Sequence, residues 1–195
     1  MSTNTPALDA ATERRIEESR SRVQRELGRR ERVTMLAFAL AFVAAAGAFA
    51  LIAEPARELS PWLALAFVAT LAVAADIEFT VGNATAVPTQ LVFVPMLLLL
   101  PTPYVPLLAA AAFVVGSGVK LLREPMAAPS RALNGIPDAW FSLAPAIVIV
   151  AFGAQLPAWG QLPVYALAIG AQLAADVLIY TARVRIGCST RRNWR

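Results

Sequence analysis

Residues 33–53 read VTMLAFALAFVAAAGAFALIA, a run of 21 positions without a single charge. The hydrocarbon core of a bilayer is about 30 Å thick, and a helix needs about 20 mainly apolar residues to cross it. Inside hydrocarbon a segment must satisfy its own backbone N–H and C=O groups, so such a run reads as a helix. A cleaved signal peptide is the competing reading, with Ala48-Phe49-Ala50 as a cleavage-like site. Its apolar region would span only about 7–15 residues, however, and no long charged segment would precede it. Residues 33–53 are therefore read as a retained first span.

The composition agrees. Of 195 residues, 58% are hydrophobic and 15% charged, against about 45–50% and about 25% in an ordinary soluble domain. Mean hydropathy is +0.60. Histidine is absent and Cys188 is the one cysteine. Zinc sites built on histidine or paired cysteines, histidine-based catalytic triads and disulfides within the chain are all excluded. No metal or cofactor is expected, and no catalytic set is visible, so the chain is not read as an enzyme.

Residues 1–32 differ from the rest. They hold eight arginines and six acids. Glu18 and Arg22, and Glu26 and Arg30, are pairs at i,i+4, each worth about 0.2–0.5 kcal/mol in a helix. A charged, solvated cytoplasmic helix leading into the membrane fits this pattern. A short coiled coil, or a helix lying on anionic headgroups, is the sharper alternative.

Beyond residue 53 five further apolar runs are expected as spans, at 61–75, 79–100, 105–122, 138–156 and 162–182. Pro61 suits a helix start, as do Pro137 and Asp138. Residues 183–195 form a short basic tail. The expected fold is an all-α integral membrane bundle of about six transmembrane helices. A broken or short helix around 76–90 is one reading of its third span. With both termini cytoplasmic, 16 of the 17 basic residues lie on one side and only Arg57 on the other, as the positive-inside rule requires. The expected location is the inner (plasma) membrane. Trp62 and Trp159 fall near the outer interface and Trp140 near the inner one.

Ionisable groups at membrane depth are functional candidates because they are expensive there. Asp176 is the clearest. Gln172, Asp176 and Tyr180 are spaced i, i+4, i+8 and share a helix face expected to point into the bundle. Gly170, Ala171, Ala174 and Ala175 are small enough to admit a neighbouring helix. The stripe reads either as glue between helices or as a site for a ligand, cation or proton. The second candidate is the polar stretch Asp76–Gln90. If it is a broken helix, Asn83, Thr85, Thr89 and Gln90 would satisfy freed backbone groups and face a wet cavity. If it is not, Asp76 and Glu78 sit in water at the inner interface. Lys120 and Arg123 are expected to snorkel, with a Lys120–Asp176 pairing left open. Gly116-Ser117-Gly118 reads as helix packing or a kink. The basic residues follow membrane topology and form no patch for nucleic acid.

Two stretches carry a family resemblance. They are Thr85-Ala86-Val87-Pro88-Thr89-Gln90-Leu91-Val92-Phe93-Val94-Pro95-Met96, ending in Leu100-Pro101, and Asp138-Ala139-Trp140-Phe141-Ser142-Leu143-Ala144-Pro145-Ala146. Over roughly residues 79–181 the chain resembles the N-terminal membrane region of actinobacterial signalling proteins that carry a cytoplasmic GGDEF or HD-type cyclic-di-GMP domain. The resemblance implies a membrane anchor and sensor, and it brings no ligand residues with it. No GGDEF, EAL or HD motif occurs in these 195 residues, and a truncated or frameshifted end is one reading of the tail. The expected function is a sensory or anchoring module of a signalling protein without its output domain. Its partners would be the bilayer and either a second copy or a separate cytoplasmic signalling domain. The alternative is a small-solute transporter or channel-like protein.

Overall fold

The computed structural model describes residues 29–77, 79–81, 84–86, 88–123 and 135–187. The expectations for residues 1–28, for Asn83 and for the tail after 187 lie outside these. Helices dominate. They are α1 (Arg29–Ile52), α2 (Pro61–Asp76), α3 (Thr89–Leu99), α4 (Val105–Arg123), α5 (Gly135–Asp138), α6 (Leu143–Ala151) and α7 (Leu162–Gly187). A 3-10 turn leads into α4 and another into α7, and a third joins α5 to α6. Three runs are long and apolar enough to cross a membrane: Arg29–Ile52, Thr102–Arg123 and Trp159–Ile186. Pro61–Asp76, Thr89–Leu99 and Gly135–Ala151 are shorter.

The third expected span is corrected. Residues 79–81 and 84–86 are extended and not helical. Strands Phe79–Val81 and Ala84–Ala86 pair antiparallel, with Thr80 opposite Thr85. β-branched Thr80, Val81 and Thr85 favour extended backbone, and Gly-Asn between the strands in sequence is a dipeptide common in two-residue hairpins. Pro88 then caps α3, which starts only at Thr89. Its 11 residues reach about 16 Å at about 1.5 Å per residue.

The fifth expected span also ends early. Its helix stops at Ala151, and Gly153 follows with φ 66°. The Gly153 N–H donates to the Val150 carbonyl at 3.0 Å and the Ala154 N–H to the Ile149 carbonyl at 2.8 Å. This is a Schellman cap, which needs a left-handed residue and so favours glycine. Ala154 and Ile149 are both buried beside it, supplying the apolar contact that accompanies such caps.

The core is built mainly where α2, α3, α4 and α6 meet. Leu71, Phe93, Met96, Leu100, Val105 and Ile149 are buried there. Phe141 stacks edge-on against Phe93 and Phe113, with ring centroids 4.9 and 6.0 Å away. A second cluster joins Phe42 and Ala46 of α1 to Ala110, Ala139 and Leu143. Leu36, Leu40, Leu167, Ile169, Leu173, Val177 and Leu178 remain exposed along α1 and α7. Lipid accommodates such faces, whereas water would not.

In lipid, helices associate through close packing and not through hydrophobic burial. Two glycines carry that packing. A Cβ on Gly116 would lie 3.2 Å from the Ala72 carbonyl oxygen, so α4 meets the backbone of α2 there. A Cβ on Gly135 would lie 3.0 Å from both the Phe113 carbonyl oxygen and Ser117 Oγ. At Gly170 nothing among the described residues lies within 4 Å, so no described helix uses that small position.

The end of the bundle opposite Met35 and Arg183 is fastened by Arg57. Its guanidinium donates to the carbonyls of Leu98 at 2.7 Å and Gln155 at 2.8 Å. Gln155 in turn donates from Nε2 to the Glu54 carbonyl and accepts from the Ala56 N–H. One cation thus ties the connection after α1 to the ends of α3 and α6. Arg57→Ala is expected to cost about 1–2 kcal/mol, the lower part of the range for charge-assisted bonds because the group is half-exposed. Arg57→Lys is expected to recover less than half, since lysine lacks the two-pronged donor. Unfolding in detergent under denaturant titration measures both.

Candidate functional site

Three helices bring small and polar residues to one end of the bundle by simple periodicity. On α4, Phe113, Gly116, Ser117 and Lys120 follow i, i+3, i+4, i+7, one helical face. On α2, Ala72, Ala75 and Asp76 do the same. On α7, Asp176, Tyr180 and Arg183 follow i, i+4, i+7. These faces, with Thr89 at the start of α3 and Gly135, Pro137, Asp138, Trp140 and Phe141, line a half-open cavity of about 500 Å³. That is within the range of about 300–1,000 Å³ typical of small-molecule sites.

Its charges are largely paired. Lys120 Nζ stands 3.1 Å from Asp76 Oδ1, and Arg123 donates to Asp76 Oδ2 at 3.3 Å. Arg183 donates to Asp138 Oδ1 at 2.6 Å, and its second terminal nitrogen reaches Met35 Sδ at 3.2 Å. Arg183 is well covered, at 17% side-chain exposure, while Asp138 is 49% exposed. The last helix is thereby tied both to α5 and to the first helix. Asp176 shares the cavity wall with Asp138.

Trp140 is not simply an interfacial belt residue. Its indole N–H donates to the Phe38 carbonyl at 3.0 Å, and its ring packs edge-on against Phe42 at 5.4 Å. An indole N–H within a bundle needs an acceptor, and α1 supplies one. Trp62 and Trp159 are exposed, at 82% and 88%.

Asp176, Tyr180 and Thr89 line the cavity. Gln172 is buried and outside it, and Gln90 is exposed and outside it. The stripe Gln172–Asp176–Tyr180 does not turn one face inward throughout. Each four-residue step drifts roughly 40° on a helix of about 3.6 residues per turn, so Gln172 is buried while Asp176 and Tyr180 stand open at the rim. Thr85 lies on the second strand opposite Thr80. Sequence reasoning missed Asp138, Arg183, Ser117 and Trp140 as parts of one site, and the Lys120 it left open as a partner of Asp176 stands against Asp76 instead. The i, i+4, i+7 spacing of Asp176, Tyr180 and Arg183 is the signal that could have found Arg183. Comparison with protein-family models, curated proteins and solved structures found no match for this chain.

Proposed function

We propose that this chain is the sensory and anchoring membrane module of a signalling protein. In this reading it spans the membrane six times, with both termini on the cytoplasmic side. The distribution of basic residues supports that orientation, with 16 of 17 on one predicted side. The observation that carries the functional reading is Arg183. It sits on the cavity wall, on the last described helix, and contacts Met35 of the first described helix and Asp138 of α5. A ligand that displaces Arg183 changes how the two terminal helices are held together. Those helices lead to the ends of the chain, where a second copy or a separate signalling domain would read the change.

The test is a distance measurement paired with a flux assay. Spin labels at Val33→Cys and Val184→Cys, in a Cys188→Ser background, report the α1–α7 distance in lipid nanodiscs. Arg183→Gln is expected to shift or broaden that distance by a few ångström. Proteoliposomes are expected to show no solute flux. Flux that disappears in Asp176→Asn would establish the carrier alternative instead.

A further inference from the structure

We propose that the cavity receives a monovalent organic cation, an amine or quaternary ammonium with an apolar body, and that Asp176 is its counter-charge. The inference rests on reading the cavity as the receiving site of the sensory module. Charge accounting carries it. Asp76 is held by Lys120 and Arg123, and Asp138 by Arg183. Asp176 makes no hydrogen bond or ion pair with any described residue. Among the described residues it is the carboxylate on this wall left without a cation. An anionic ligand would meet that carboxylate while the cavity's cations are already engaged. A neutral ligand would leave Asp176 without a counter-charge.

The size and lining of the space select among cations. Among the described residues no three acidic, histidine or cysteine side chains are grouped to hold a metal ion. A space of about 500 Å³ greatly exceeds one inorganic ion. Trp140, Tyr180 and Phe113 line it, and aromatic faces attract organic ammonium groups, above all when water is excluded. Ser117 and Thr89 add hydroxyls on the same wall. The ligand this chemistry fits has one positive charge and a compact aliphatic or aromatic body.

The full chain in lipid nanodiscs is titrated with benzyltrimethylammonium, with benzyl alcohol and phenylacetate as neutral and anionic controls. Bound probe is measured by equilibrium dialysis, and melting temperature is followed in parallel. Saturable binding of the cation, with a raised melting temperature and neither effect from the controls, is the expected result. Asp176→Asn is expected to weaken cation binding by at least about tenfold, the equivalent of one charge-assisted contact, and Asp176→Glu to restore most of it. The absence of saturable cation binding, equal binding of benzyl alcohol, or an unchanged affinity in a folded Asp176→Asn each overturns the inference. The comparison of the three probes on the unmodified chain decides the matter even if the Asn variant does not fold. Cation binding accompanied by Asp176-dependent flux would keep the ligand class and remove the sensory reading. A terminal-helix shift in Arg183→Gln without cation binding would do the reverse.

Discussion

Gly135→Ala is expected to destabilise the bundle by about 1–2 kcal/mol, and Gly135→Leu to prevent its assembly. The Cβ of alanine would sit 3.0 Å from the Phe113 carbonyl oxygen and 3.0 Å from Ser117 Oγ. The hydroxyl can rotate away, but the carbonyl belongs to the backbone of α4 and cannot. Relief requires α5 to move off α4, and overpacking of this kind typically costs about 1–3 kcal/mol. The helix preference of alanine over glycine returns about 0.5–1 kcal/mol, so the net falls below the full clash. Leucine adds three further carbons to the same gap. The consequence extends to the site, because α5 carries Asp138, and Gly135, Phe113 and Ser117 all line the cavity. Gly118→Ala is the matched control. It lies on the same helix as Phe113, nothing stands within 4 Å of its added Cβ, and it is expected to be neutral or slightly stabilising. Equal melting temperatures for Gly135→Ala and Gly118→Ala would show that α5 does not rest on α4 in the way described.

Much of the helical framework was legible because uncharged runs of membrane length admit few other structures. Residues 33–52 of the expected first span fall in α1, which continues back to Arg29, and 105–122 fall in α4. Two boundaries were misread for a shared reason: hydropathy reports where a segment is comfortable and not what its backbone does. Phe79–Val81 and Ala84–Ala86 are apolar enough to count towards a span, yet they pair as strands. Residues 152–156 continue the apolar run, yet Gly153 closes the helix before them. The site was legible only in part. Asp176 announces itself as a charge inside the last expected span, 162–182. Asp138, Lys120 and Arg183 each have an ordinary local explanation, as a helix start, a snorkelling end and a basic tail. Their common role depends on α2, α4, α5 and α7 converging, and that is a property of packing. Asp76 illustrates the point: its sequence position suggested water, and the fold places Lys120 and Arg123 from α4 against it.

The Asp138–Arg183 pair is expected to behave as one unit under mutation. Arg183 is the more covered partner, so Asp138→Asn leaves a guanidinium without its carboxylate in a partly dry setting. A cost of about 2 kcal/mol follows, below the roughly 3–5 kcal/mol of a fully buried pair because Asp138 itself is half-exposed. Arg183→Gln leaves the more solvated Asp138 alone and costs about 1–2 kcal/mol, which includes release of the Met35 contact on α1. The double variant is expected to cost clearly less than the sum, with a coupling of about 1–2 kcal/mol, as for contacting residues in one network. Asp76 is the internal comparison. It has two cationic neighbours that are each 45% exposed or more, so Lys120→Gln or Arg123→Gln alone should cost less than about 1 kcal/mol. Raised salt should weaken the Asp76 contacts more than the Arg183 contact, because screening reaches exposed charges first. Denaturant unfolding of the four variants and the double variant at two salt concentrations supplies every term. The coupling is the decisive quantity, since single costs also arise from lost packing. If the double variant simply equals the sum, Arg183 does not pin α7 to α5, and the route from cavity to terminal helices is lost with it.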